Sequence, residues 1–392
     1  MVYRQGWKTM NLLNSFIFEL PTKIQFGIGA SGKLAGALKE LGAENILVVT
    51  DSGIASCGLL SKITDLLTRN RLKFNVFSAV ASNPKDANVL EGTELANRMR
   101  ADCLVALGGG SPIDCAKAIA VAATHGGDIR EYETDKQISG EVLPLIAIPT
   151  TAGTGSEVTF SAVITDTRRD FKFSIHHLKL APRTALLDPE LTLTMPPALT
   201  AATGLDALTH AVEAYTANVS GPLSDAAALY AVELISKYLK TAVIAGDNVE
   251  ARAGMLLGSV LAGIAFSHSD VAAVHCIAEA LGGKYDLAHG VCNAVVLPAV
   301  MDYNMDYCTE KYSRIAGAMG IDYNTEKQGA RMAVEAVYKL ASDVNLPGFG
   351  SLGVNANDLE QLADNSFLNG SNDSNPRPMT RDDYLTLFKK MM

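Results

Sequence analysis

Residues 102–120, DCLVALGGGSPIDCAKAIA, decide the fold. CLVAL is a short, uninterrupted apolar run, three glycines follow at 108–110, and the remainder carries apolar residues in a helical pattern. An apolar strand that passes through a tight turn into a helix is the unit of a parallel sheet covered on both faces. Gly109 and Gly110 let backbone N–H groups approach a ligand closely, and a helix N-terminus adds partial positive charge, so the turn suits a pyrophosphate. The same residues also suit a strand-to-helix turn with no ligand.

Working outward, NILVVTD (45–51), FNVFSAV (74–80) and LPLIAIPTT (143–151) are further strand candidates. KLAGALKELG (33–42) and LLSKITDLLTRN (59–70) have helical periodicity, so strands alternate with helices as in a doubly wound, Rossmann-like sheet. FKFSIHHLKLAPRTALLD (171–188) reads as a strand pair that closes this half. A literal GxGxxG stands at Gly27, Gly29 and Gly32, after TKIQF and before a helix. Asp51 ends the next strand nineteen residues after Gly32. At that spacing a carboxylate accepts the ribose hydroxyls of NAD and repels the 2′-phosphate of NADP. The loop IPTTAGTGSEVT (148–159) adds four threonines and a serine, which line phosphate and ribose or simply form turns.

After TMPPAL (194–199) the pattern is almost wholly helical: 224–243, 250–266, 328–344 and 381–392. The expected organisation is an N-terminal extension (1–15), an α/β domain (16–194) and an all-helical domain (195–392), with a cleft between the domains. The chain has 392 residues, 48% hydrophobic content and a formal net charge of −9, which argues against nucleic-acid or anionic-membrane partners. No apolar run reads as a membrane span, and MVYRQGWKTMNLLNSF lacks a signal-peptide pattern. The six cysteines (57, 103, 115, 276, 292, 308) form no CxxC and read as reduced core residues, so a cytoplasmic protein is expected.

The helical half carries the remaining chemistry. GLDALTHAVEAY (204–215) reads as a helix start with Asp206 and His210 one turn apart and on one face. HCIAEALGGKYDLAHG (275–290) opens a helix at His275 and sets His289 in a glycine-flanked turn beyond it. An aspartate four residues before a histidine is commonly a cap beside an ordinary core histidine. Three neutral imidazoles with a carboxylate would instead hold Fe²⁺ or Zn²⁺ and leave room for a substrate oxygen.

The stretches VVTDSG, NPKDANV, GGGSPIDCAKAIA, IPTTAGTGSEVT, GLDALTHAVEAY, HCIAEALGGKYDLAHG and SNPRPMT together resemble the iron-containing (group III) alcohol dehydrogenases. The resemblance covers roughly residues 16–390 in family order. It implies a Rossmann-like α/β domain, a helical metal-binding domain, and an alcohol or aldehyde substrate between them. It also implies an NAD cofactor and a homodimer or larger assembly. By motif position, the metal ligands would be Asp206, His210, His275 and His289. The dinucleotide contacts would be Asp51, Asn83, Gly110, Ser111, Thr150, Thr151, Thr154, Thr159 and Lys172. The pyrophosphate would lie at 108–111 rather than at the GxGxxG.

The chain departs from the family at Glu279, where many members carry a second histidine one turn after the third ligand. Glu279 reads either as a polar residue lining the cleft or as a replacement proton acceptor. His268 and Lys284 lie near the ligand helix in sequence; they read as an ordinary polar histidine and an exposed lysine, although facing the cleft they would favour a substrate with a carboxylate or sulfonate. His125, His176 and His177 receive no role. Alternative readings are a reductase of a small anionic aldehyde or semialdehyde (a hydroxy acid dehydrogenase), a zinc-dependent polyol dehydrogenase, a lyase of the dehydroquinate-synthase type, and a non-catalytic binding protein. The lyase would need several basic residues around a phosphorylated substrate.

Overall fold

The computed structural model describes residues 15–134 and 136–392. Residues 1–14 of the expected N-terminal extension lie outside these. The strands are β1 (Lys23–Phe26), β2 (Asn45–Asp51), β3 (Lys73–Val80), β4 (Cys103–Gly108), β5 (Leu145–Pro149), β6 (Ser161–Asp166), β7 (Phe171–His176) and β8 (Thr184–Leu187). In this half the helices are α1 (Leu34–Glu40), α2 (Ser52–Ser56), α3 (Leu59–Arg69), α4 (Asp86–Met99) and α5 (Gly110–His125).

Six strands form one parallel sheet in the order β1-β8-β5-β4-β2-β3. Its two faces follow from the period of a strand. Leu47, Val49, Leu104 and Ala106 pack on one side with Ile113, Ala116 and Ile119 of α5. Ile46, Val48, Val105 and Leu107 pack on the other with Leu34, Leu38, Ile63 and Leu67 of α1 and α3. Strand ends from β2, β4 and β5 are neighbours, so Asp51, the 108–110 glycines and the 150–159 loop meet at one carboxyl edge, where open α/β sheets bind ligands.

Two local expectations are corrected. Residues 171–188 are not a strand pair with each other. β7 pairs antiparallel with β6, from Ser161 opposite His176 to Asp166 opposite Phe171, and β8 enters the main sheet between β1 and β5. Pro182 lies in the intervening segment, and Arg183 donates its backbone N–H to Leu145 at 2.8 Å, which draws the chain back to β5. The GxGxxG loop is already occupied by the chain itself. The backbone N–H groups of Gly29 and Ser31 donate to the Asp188 carboxylate at 3.1 and 3.2 Å, and the Ser31 hydroxyl donates to it at 2.6 Å. This loop follows β1, at the far edge of the sheet from β2.

The second correction concerns the membrane. Val249–Ser267 has a mean hydropathy of 1.5 and is long and apolar enough to cross one, contrary to the reading of the sequence. It is instead a core helix of the second half, with Met255, Leu256, Val260 and Ala265 buried.

That second half is α6 (Pro197–Thr216), α7 (Pro222–Ile244), α8 (Val249–Ser267), α9 (Ala273–Tyr285), α10 (His289–Asn304), α11 (Thr309–Ala318), α12 (Glu326–Asp343), α13 (Leu359–Phe367) and α14 (Arg381–Met391). Pro196 caps α6 and Pro197 is its first residue, where the missing N–H costs nothing. GLDALTHAVEAY is therefore the interior of a helix rather than its start, because the run from Pro197 to Thr203 is also helical. α6 is buried on nearly every side, and its small residues Ala201, Ala207, Ala211 and Ala214 let α7, α8 and α10 approach closely.

Candidate metal centre and cofactor cleft

Asp206, His210 and Glu213 follow one another at four and three residues along α6 and so form a single stripe. His275 lies in the first turn of α9. His289 is the first residue of α10, not part of a preceding turn, since the chain turns at Asp286 (φ 52°) and is helical again from His289. These elements bring one donor atom each from Asp206, His210, His275 and His289 to within 4.8 Å of one another. The imidazole centroids of His210 and His275 are 4.6 Å apart, and those of His275 and His289 are 5.3 Å apart.

The electrostatics suit a cation. Burial lowers the pKa of His210 to about 4, and burial likewise takes His289 to about 3, although 27% of its side chain reaches solvent. Both rings are therefore neutral and able to donate lone pairs at ordinary pH. Burial opposes the charge of Asp206, but His210, His289 and an Asn293 hydrogen bond outweigh it, and its pKa is lowered. Burial also lowers that of His275, yet the Glu213 carboxylate outweighs it and the net shift is upward. The amide nitrogen of Asn293 gives a direct test of fit. It lies 2.7 Å from Oδ1 of Asp206, 3.0 Å from Nε2 of His275 and 3.1 Å from Nε2 of His289. Three acceptor atoms thus converge on one point that a single electropositive group can occupy. A carboxylate and three imidazoles around such a point match a divalent transition metal.

The cofactor residues read from the sequence divide into two groups. Asp51, Gly109, Gly110, Thr151 and Thr154 come together at the strand ends. A methyl placed on Gly108 would lie 3.4 Å from Oδ2 of Asp51; on Gly109, 2.9 Å from Oγ1 of Thr151; on Gly110, 2.7 Å from Cγ2 of Thr154. Asp51 also caps α2, accepting from Ile54 at 2.9 Å. Thr150 donates its backbone N–H to Gly108 at 3.0 Å, and Ser111 donates its hydroxyl to the carbonyl of Ser82. A methyl on Gly153 would lie 2.8 Å from Cβ of Thr203, so the same loop reaches α6 one turn before Asp206.

Thr159 and the Asn83–Lys172 pair sit elsewhere. The Thr159 hydroxyl accepts from buried Lys117 at 2.8 Å, within a cluster that also includes Ser156. Lys172 donates to Asn83 at 2.7 Å, and Asn83 donates to Asp286 at 2.8 Å, which links β7 to the end of α9.

Glu279 lies one turn after His275. It accepts from Asn369 at 2.6 Å, and burial pushes its pKa up against the pull of His275, Asn369 and Lys172. His268 does not face this region. Its ring stacks on Phe18 at 3.9 Å, and its two nitrogens lie 2.8 Å from the carbonyls of Ile264 and Glu19. Lys284 donates to Gln361 at 2.8 Å. Neither residue presents a free cation to the cleft. Glu213, Asn293, Asp286 and Asn369 escaped the sequence reading. Only the first two had a detectable signal, at helical spacing from His210 and His289.

Family models describing the iron-containing alcohol dehydrogenase match residues 21–189, and those describing the C-terminal part of that family match 200–392. The chain is 39% identical to a choline dehydrogenase of Bacillus subtilis over 378 residues, 95% of this chain and 94% of the relative. It is 38% identical to an NAD-dependent methanol dehydrogenase of Bacillus methanolicus, with 96% and 99% covered. A solved 1,3-propanediol oxidoreductase superposes with a TM-score of 0.94 at 38% identity, covering 97% of this chain and all (100%) of that one. Fold and site together make the protein an oxidoreductase with an N-terminal parallel α/β domain followed by an all-helical domain carrying an Asp/His metal site. The chain belongs to the iron-containing alcohol dehydrogenase family.

Proposed function

We propose that the chain transfers hydride between a small primary alcohol or diol and NAD, with the metal held by Asp206, His210, His275 and His289. The convergence of acceptor atoms at the Asn293 amide carries this reading. Fe²⁺ is the expected metal and Zn²⁺ the alternative, since the donor set accepts both. A divalent cation there polarises the substrate oxygen and makes its proton easier to remove. On this reading residues 16–194 bind the cofactor and 195–392 the metal.

The protein groups divide the remaining work. Gly109, Gly110 and the α5 N-terminus receive the pyrophosphate; Asp51 takes the ribose hydroxyls and disfavours NADP. Thr151 and Thr154 close the other side of that turn. Ser111, Thr150, Thr159, Asn83 and Lys172 complete the expected contact set, the last two from the wall nearest Glu279. Neutral substrates are favoured over carboxylate- or sulfonate-bearing aldehydes, because His268 and Lys284 are engaged elsewhere. Choline, methanol and 1,3-propanediol, for which the relatives are named, are all small primary alcohols. A panel of primary alcohols, diols, neutral aldehydes and semialdehydes, run on Fe²⁺-loaded enzyme, tests this. NADH should form with small neutral primary alcohols at higher kcat/KM than with anionic analogues. Cofactor turnover with none of them would remove the proposal.

Glu279 is the proton acceptor in this scheme. A group that accepts a proton works only when ionised, so alcohol oxidation should rise as pH passes its raised pKa. Aldehyde reduction needs the protonated form and should fall over the same range. Glu279→Gln should erase that limb and slow oxidation by about a hundredfold, the usual scale of general-base assistance. An unchanged pH profile at full activity would leave Glu279 only lining the cleft.

A further inference from the structure

Glu213 belongs to no ligand set, yet it is 3% exposed and lies on the same α6 stripe as Asp206 and His210. A buried carboxylate needs several donors, and among the described residues Glu213 finds them on α9 and the residue before it. Oε1 accepts from the backbone N–H of Val274 at 2.7 Å. Oε2 accepts from the N–H of Ala272 at 3.0 Å and from Nδ1 of His275 at 2.5 Å. Ala272 supplies no side-chain cap of its own. One acid from a different helix therefore caps α9, places negative charge at its positive end, and holds the imidazole one residue on.

Since a carboxylate only accepts, His275 must carry its proton on Nδ1. The Nε2 lone pair then points away from Glu213, where it lies 3.0 Å from the Asn293 amide at the convergence point. Asp206 and His210 come from the same helix as Glu213, so their spacing to His275 is fixed through one rigid element. We infer that Glu213 is the positioning residue of the metal centre, setting both the tautomer of His275 and the registration of α9 on α6.

The inference rests on the metal site proposed above, and its test separates the two. Protein stripped of metal is titrated with Co²⁺ in competition with a chelator, and the d–d absorption of the bound ion is recorded. Wild type should bind, and His275→Ala should not; failure of wild type to bind would overturn the metal site itself. Glu213→Gln keeps the shape but puts an amide N–H against one of the three donors. It should weaken Co²⁺ by about ten- to a hundredfold and alter the spectrum, as removal of an outer partner of a ligating histidine does elsewhere. NADH binding, followed by fluorescence, should stay within about twofold of wild type. If Glu213 is only a helix cap, Glu213→Gln lowers the melting temperature and leaves Co²⁺ affinity and spectrum unchanged, which refutes the inference. Should that variant not fold, Glu213→Asp carries the same test. It keeps the charge but draws it back by one methylene, and Co²⁺ binding weakened by about fivefold or more is expected. Unchanged affinity in Glu213→Asp would be equally fatal.

Discussion

His275→Ala should lose bound metal and alcohol oxidation together, with turnover falling by about three orders of magnitude. The size follows from the several kcal/mol that a cation contributes to stabilising charge on the reacting oxygen. Glu213 keeps a buried charge without the imidazole, the Asn293 amide loses the Nε2 acceptor, and Asp206, His210 and His289 are left as an incomplete set. Metal content per chain, measured on protein purified without oxygen, checks the first half; NADH formation checks the second. NADH binding should survive, because the glycine turn belongs to the other domain. A His275→Ala enzyme that turns over at the wild-type rate would remove His275 from the site.

Gly110→Val produces the complementary phenotype. A methyl on Gly110 would sit 2.7 Å from Cγ2 and 2.8 Å from Oγ1 of Thr154, and valine adds two more carbons. Either Thr154 is displaced or the α5 N-terminus backs away from the loop, and both spoil the surface proposed to receive the pyrophosphate. Overpacking of this kind costs about 1–3 kcal/mol, so NADH affinity should fall by about ten- to a hundredfold. Metal content should be unchanged. Fluorescence titration with NADH and metal analysis of the same sample read the two outcomes. Normal NADH binding in Gly110→Val would move the cofactor away from the 108–110 turn.

Much of this arrangement is local and therefore legible in the chain itself. Asp206 and His210 are one turn apart, so any helix there puts them on one face; β4 followed by Gly108–Gly110 and α5 is a contiguous unit. What the pattern hides is set by distant partners. β8 could not be assigned to the middle of the main sheet from its composition, because its register depends on β1, β5 and the path taken after Pro182. Asn369 reaches Glu279 across 90 residues, and no spacing rule links them. Glu213 was recoverable in principle: a carboxylate seven residues after Asp206, on the same face of an otherwise largely apolar helix, asks for a buried partner. His268 is the ordinary polar histidine its sequence favoured: nearness to α9 in sequence says nothing of direction, and its ring turns toward Phe18.

The Asp188 carboxylate, seated on the backbone N–H groups of Gly29 and Ser31, has a wider meaning. Oriented amides in a glycine turn attract anions whatever their source, and here the chain supplies a resident one. Asp188 acts as a tethered phosphate mimic that can never diffuse away. The sheet thus has two glycine turns and answers one of them with its own carboxylate. An anion arriving at the β1 edge meets a carboxylate where it would need donors, which sets that edge apart from the turn at 108–110 proposed for the cofactor.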